Sequence, residues 1–290
     1  MDHPLHMSAP LIDVRNLTIR FAKRDGSGKP AVEDVSWSIE RGRGLAVVGE
    51  SGSGKSVTAL ALTRLLPEPP AVYDSGEILL EGLDVRKMKE DELRSVRGGK
   101  IGYIFQEPAT SLNPVFTLQS QIGEVLRLHR PDVAPAARDA EIVRWLDRVG
   151  IVDPEKRLRS YPHELSGGMQ QRAMIAMALC AQPALLVADE PTTALDVTVQ
   201  AEIMKLLREL KEQLGMSVLL ITHNFGIIRG LADEVAVMFR GRIVERGPTE
   251  TVLRDPQHAY TRALIDCIPR LGAKRKRLAT IDHDALAKAL

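Results

Sequence analysis

Apolar residues along the 290-residue chain change their period several times, and each change predicts a different element. Leu11 to Phe21 and Val35 to Ile39 show partial alternation, which predicts two strands joined through a polar turn at Arg24 to Lys29. Leu45 to Val48 is apolar throughout, as expected of a strand covered on both faces. Val57 to Leu66 reads as a helix rich in Leu and Ala, stopped by Pro67, Pro69 and Pro70. Ile101 to Phe105 is a further short strand. From Glu107 to about Pro162 the pattern turns helical, with Leu118 to Leu128 and Ala140 to Val149 the clearest helices.

Strands and helices then alternate again. Ala184 to Ala188, Ser217 to Ile221 and Val235 to Phe239 read as strands, and Val199 to Leu214 as an amphipathic helix. A tight turn follows at Arg240-Gly241, and His258 to Cys267 reads as a late helix. Such alternation predicts an α/β fold with a mostly parallel sheet, and the helical stretch reads as an inserted subdomain. No internal repeat or low-complexity tract is visible.

Composition narrows the classes. There are 39 Lys and Arg against 38 Asp and Glu, so the net charge of +1 gives no expectation of nucleic acid as a partner. Only two cysteines occur, Cys180 and Cys267, each in an apolar stretch, which fits a reducing compartment better than a disulfide framework. Met1 to Pro10 is polar and unlike a signal peptide. The most apolar stretch, Ala173 to Ala188, is interrupted by Gln182 and Pro183 and is too short to span a bilayer. Any membrane role is therefore expected to come through partners.

The chemistry is concentrated at a few points. Gly49-Glu50-Ser51-Gly52-Ser53-Gly54-Lys55-Ser56 fits G-x-x-x-x-G-K-[ST] and lies between an apolar strand and a helix. Glycines let consecutive N–H groups curl around an anion, and the helix that follows, opening at Val57, aims its positive end at the same point. Lys55 would supply charge to the β- and γ-phosphates of a nucleotide, and Ser56 a hydroxyl ligand for Mg²⁺. A chance match is expected in about one chain per hundred of this length, and the strand–loop–helix context lowers that further. Leu185 to Glu190 is an apolar strand ending in two acids. Alone, such an ending is more often an exposed turn. Beside a phosphate loop, Asp189 is expected to hold Mg²⁺ and Glu190 to polarise the attacking water.

A second nest occurs at Leu165-Ser166-Gly167-Gly168-Met169-Gln170-Gln171-Arg172, a Ser-Gly-Gly turn opening a helix. One nucleotide does not need two nests in one chain, so the second is read as serving a nucleotide held by another subunit. Here the sequence resembles the ATP-binding-cassette ATPases, whose signature this element is, with Met169 inserted between the glycines and Gln170. The resemblance implies a RecA-like core with an antiparallel β-subdomain, an ATPase domain over residues 11–248 and a helical subdomain near 107–165. It implies that Gln106 contacts Mg²⁺ and couples to the membrane partner. It also implies that Asp196 of Ala194-Leu195-Asp196 lies in the loop crossing a dimer interface, that His223 reaches the γ-phosphate and that Phe21 stacks on adenine. Taken singly, a His or Phe at a strand end is more often structural.

The stretch Phe105 to Pro114 and the segment His258-Ala259-Tyr260-Thr261 look like those of the ATPases serving oligopeptide, dipeptide and nickel importers, where the latter usually reads His-Pro-Tyr. Residues 249–290 then correspond to that subfamily's C-terminal extension. Ala259 departs from the pattern at a cost in local rigidity only, and Arg43 stands where relatives often carry an acid. Cys267 alone is too few for the iron–sulfur cluster some members hold there, so none is expected. The resemblance implies two permease subunits, a second cassette, an extracytoplasmic solute-binding protein, and a peripheral place on the cytoplasmic face of the inner membrane. A cassette acting on DNA or ribosomes would usually carry a long coiled coil or two fused cassettes, and no sustained heptads occur. A silent binding subunit would lack Glu190, Asp196 or His223. The basic run Lys274 to Arg277 reads as a solvated tail in preference to a lipid contact worth about 1 kcal/mol per residue.

Overall fold

The computed structural model describes residues 9–23, 25–107, 111–193 and 195–267. Met1 to Ser8, Pro108 to Thr110, Ala194 and the run Lys274 to Arg277 lie outside the described residues. In chain order the first elements are β1 (Ile12–Phe21), β2 (Pro30–Ile39), β3 (Gly44–Val48), α1 (Lys55–Ala61), β4 (Ala71–Leu80) and β5 (Leu83–Asp84). Next come α2 (Glu90–Val96), β6 (Ile101–Ile104), α3 (Leu118–His129), α4 (Arg138–Arg148), α5 (Pro154–Arg157) and α6 (Gly167–Leu179). The series ends with β7 (Leu185–Asp189), α7 (Val197–Leu214), β8 (Ser217–Thr222), β9 (Glu234–Phe239), β10 (Arg242–Pro248), α8 (Thr249–Arg254) and α9 (Ala259–Asp266). These elements fall into two units, Met1–Met88 with His223–Leu290, and Lys89–Thr222.

In the first unit, β1 is the centre of an antiparallel sheet ordered β2-β1-β4-β5. Its inward side chains, Ile12, Val14, Leu17 and Ile19, are almost fully buried, so the alternation read in the sequence is the alternation of sheet faces. The register slips between Arg15 and Thr18, opposite Gly76. Gly76 has φ +93°, and a Cβ there would lie 2.5 Å from the Leu17 Cα, so this bulge requires glycine. The same unit pairs β3 in parallel with β9, and β9 in antiparallel with β10. All five residues of β3 are buried, which explains its unbroken apolar run.

The second unit stacks β6, β7 and β8 in parallel, Ile101 opposite Leu185 and Leu185 opposite Ser217. β8 is buried along its whole length. Helix α7 buries Ile203, Met204, Leu206, Leu207 and Leu210, the stripe its periodicity predicts. Among the described residues, no helix is long and apolar enough to cross a membrane.

Several elements differ from the sequence reading. Helix α1 begins two residues earlier than expected and ends at Ala61, because Arg64 adopts a left-handed φ of 50° ahead of the prolines. β2 extends back to Pro30, and β6 stops at Ile104. The strands β4, β5 and β10 and the helices α2 and α8 have no counterpart in the sequence reading. Asp74-Ser75-Gly76 breaks the alternation of β4 at the bulge, and β10 leaves most of its residues partly or fully exposed.

Candidate functional site

The segment Gly49 to Ser56 forms the link from β3 to α1, the context its spacing predicts. The chain wraps around its own lysine. Lys55 is only 4% exposed, and its Nζ donates to the carbonyls of Gly49 at 2.8 Å and Glu50 at 2.7 Å. Gly54 caps α1 with φ +104°, and a Cβ there would lie 2.5 Å from the Ala31 carbonyl oxygen. Only glycine fits, and glycine brings no side chain to cap the first N–H groups of the helix. Ser51, Gly52 and Ser56 are exposed while Ser53, Gly54 and Lys55 are buried, so the loop opens to solvent on one side. An uncapped helix start, a buried ammonium and an open rim are what a polyphosphate requires.

This loop is braced from behind by a residue absent from the sequence-based candidates. The Glu50 N–H donates to the Tyr260 hydroxyl at 3.1 Å, and that hydroxyl lies 3.3 Å from Glu50 Oε2. Tyr260 is fully buried, its ring 4.3 Å from that of Phe239, and burial pushes its hydroxyl well above the ordinary tyrosine range. A buried tyrosine needs a polar partner for its hydroxyl, and the Glu50 N–H supplies it. Phe21 ends β1 opposite Ala71 and is half-buried. His223 directly follows β8 and is exposed.

In the second unit, β7 carries Asp189 as its last residue, and Glu190 follows with φ 46°. A glutamate in the left-handed region is uncommon, and such strain collects at functional positions. Glu190 is held there: its N–H donates to the Ile221 carbonyl at 2.8 Å, and its Oε2 accepts from the Thr193 hydroxyl at 2.8 Å. Gln106 is exposed two residues beyond β6.

Ser166 caps α6, its hydroxyl accepting from the Met169 N–H at 3.4 Å. Ser166 and Gly167 are exposed, and Gly168 is partly so. Gln170 turns back to donate to the carbonyls of Pro162 at 2.9 Å and Leu165 at 3.2 Å. Arg172 fixes the helix from its other side, donating to the Val149 carbonyl at 2.6 Å and to Glu202 at 2.9 Å. Asp196 caps α7, accepting from the N–H groups of Thr198 and Val199, each at 3.0 Å. Phe21, the Gly49 to Ser56 loop and His223 thus fall in the first unit, and Gln106, the Ser166 turn, Asp189, Glu190 and Asp196 in the second.

A loop of this construction, following a buried parallel strand, defines a P-loop nucleotide-binding protein. Residues 32–193 match the profile of the ABC transporter family, and residues 244–288 that of the oligopeptide/dipeptide transporter C-terminal region. The chain therefore belongs to the ABC transporter family. It is similar to the peptidoglycan transport ATP-binding protein YejF of Agrobacterium fabrum, 55% identical over 90% of this chain and 47% of that protein. It thus spans about half the length of that relative. The oligopeptide transport ATP-binding protein OppD of Bacillus subtilis is 48% identical over 90% of this chain and 72% of its own length. Among solved structures, the dimeric ATP-binding cassette MJ0796 with ADP and phosphate gives a TM-score of 0.72 at 27% identity, over 82% of this chain and 98% of that one. The α/β cassette fold expected from the sequence is the fold found.

Proposed function

We propose that this cassette drives import of di- or oligopeptides, or a related solute such as nickel, as the energy-coupling subunit of a membrane complex. The observation that carries the mechanism is the pair of helix starts, one at Gly54 beside a buried lysine and one at the exposed Ser166 turn. Two cassettes close face to face, and each nucleotide is held between the loop of one and the Ser166-Gly167-Gly168 turn of the other. The peptide-importer C-terminal match and the relatives' names support the substrate class. Two permease subunits, docked near Gln106 and the helical region, convert closure and reopening into alternating access, with solute delivered by an extracytoplasmic binding protein. The cassette sits peripherally at the inner face of the cell membrane.

Ser56 in the first unit, and Gln106 and Asp189 in the second, each carry a side-chain oxygen of the kind that suits Mg²⁺, which would neutralise phosphate charge. Lys55 adds fixed positive charge, Phe21 stacks on the adenine, His223 reaches the γ-phosphate, and Glu190 orients the attacking water. Asp196 lines the cassette interface. Catalysis is mainly positioning and charge stabilisation in a water-poor site.

The test is the ATPase rate of purified complexes in which one cassette carries Lys55→Ala and the other Gly168→Asp. Both lesions then fall in one composite site and the other site stays intact, so activity is retained. Complexes as dead as each parent would refute the shared site. Stimulation of the wild-type complex by peptide-loaded binding protein tests the substrate class, and indifference to peptides would refute it.

A further inference from the structure

Tyr260 belongs to the C-terminal region, yet its hydroxyl ends on the phosphate loop, 210 positions earlier in the chain. The path is built in several steps. Glu245 in β10 accepts from the N–H groups of Gln257 at 2.7 Å and His258 at 3.0 Å, which fixes the chain entering α9. His258 Nδ1 then accepts from the Tyr260 N–H at 3.2 Å and caps that helix. The Tyr260 ring packs on Phe239, the last residue of β9, the strand paired with β3. The hydroxyl thereby meets the loop where β3 ends.

The peptide group it meets is a hub. The Gly49–Glu50 peptide gives its N–H to Tyr260, while its own carbonyl, that of Gly49, accepts Lys55 Nζ at 2.8 Å. The next carbonyl, that of Glu50, accepts Lys55 Nζ at 2.7 Å and the Ser53 N–H at 3.2 Å. Tyr260 therefore holds one side of the group whose other side holds the phosphate-binding lysine. We propose that Tyr260 is a positioning residue for the nucleotide site, setting the Gly49 carbonyl that orients Lys55 and making phosphate binding depend on the docked C-terminal helix. This inference rests on the nucleotide-binding reading of the loop and extends it to a region outside the cassette core.

Tyr260→Phe keeps the ring on Phe239 and removes only the hydroxyl. With the full chain at low temperature and MgADP as the probe, the dissociation constant is expected to rise about threefold to tenfold, the range for one lost hydrogen bond. Exchange of the Glu50 amide with solvent should quicken in the absence of nucleotide, a change that a purely packing role for the ring would not produce. Tyr260→4-aminophenylalanine, which restores a donor and acceptor at the same place, should bind like the wild type, and this second variant keeps the test open if the first fails to fold. Wild-type binding accompanied by a less than threefold change in a folded Tyr260→Phe chain overturns the positioning role alone, as does a 4-aminophenylalanine chain no better than Tyr260→Phe. A wild-type chain that does not bind MgADP overturns the nucleotide reading and this inference with it.

Discussion

Replacing Lys55 by methionine separates the lysine's part in shaping the loop from its part in holding phosphate. Methionine keeps the apolar stem inside the fold and deletes the ammonium, so the Gly49 and Glu50 carbonyls lose donors at 2.8 and 2.7 Å. A hydrogen bond to a charged group contributes about 1.5–3 kcal/mol, so two give a gross loss of about 3–6 kcal/mol. Relief from burying an ammonium that is 4% exposed offsets several kcal/mol of this. The net destabilisation expected without nucleotide is then about 1–2 kcal/mol, a fall in Tm of about 2–3 °C for a chain of this length. With MgADP at about 100 times its Kd, the wild type should gain about 2.7 kcal/mol, or about 4 °C. The Lys55→Met chain should gain almost nothing. Thermal unfolding followed by circular dichroism, with and without MgADP, measures both quantities at once. An unchanged Tm in the absence of nucleotide would refute the latch formed with the two carbonyls. A full MgADP shift in the variant would refute the lysine's part in phosphate binding.

Glu190→Gln should keep MgATP binding and lower turnover of the assembled complex by at least about 100-fold, the lower end of general-base effects; near-normal turnover would exclude Glu190 as the main base. His129 packs on the Gly98-Gly99 turn, and burial lowers its pKa, so the folded state favours the neutral ring. The unfolded chain therefore takes up this proton first, and stability should fall as pH drops below about 6.5 and level off beneath the folded pKa. Tm measured at pH 8 and pH 5 should drop more in the wild type than in His129→Gln, and equal drops would exclude His129 as a source.

The strand–loop–helix setting of Gly49 to Ser56 was legible because its signal is local: glycines, lysine and serine at fixed spacing between a buried strand and a helix. β3, β7 and β8 were legible for the same reason, each being an apolar run bounded by polar residues. The strand β4 was hidden because a bulge at Gly76 interrupts its alternation, and β10 because an exposed edge strand carries little apolar pattern. The left-handed backbone at Glu190 has no sequence signature, since glutamate gives no hint of positive φ. Asp196 was expected at an interface from resemblance alone; what the structure adds is a local role, its side chain capping α7. Tyr260 lay beyond sequence reasoning because its partner is 210 positions away.

The pairing of β3 with β9 has a consequence for how the chain is made. Leu45 lies opposite Glu234, so the two strands are about 190 residues apart in the order of synthesis, with the whole second unit between them. At about 5–20 residues per second, β3 leaves the ribosome about 10–40 s before its partner. During that interval the four apolar side chains of Leu45 to Val48 and an open strand edge have no permanent cover. The second unit is continuous in sequence and can form while the first waits. Closing a loop of that length costs about 4–5 kcal/mol in chain entropy from its length alone. The nucleotide loop, which hangs from the end of β3, is thus among the last parts of the molecule to acquire its shape.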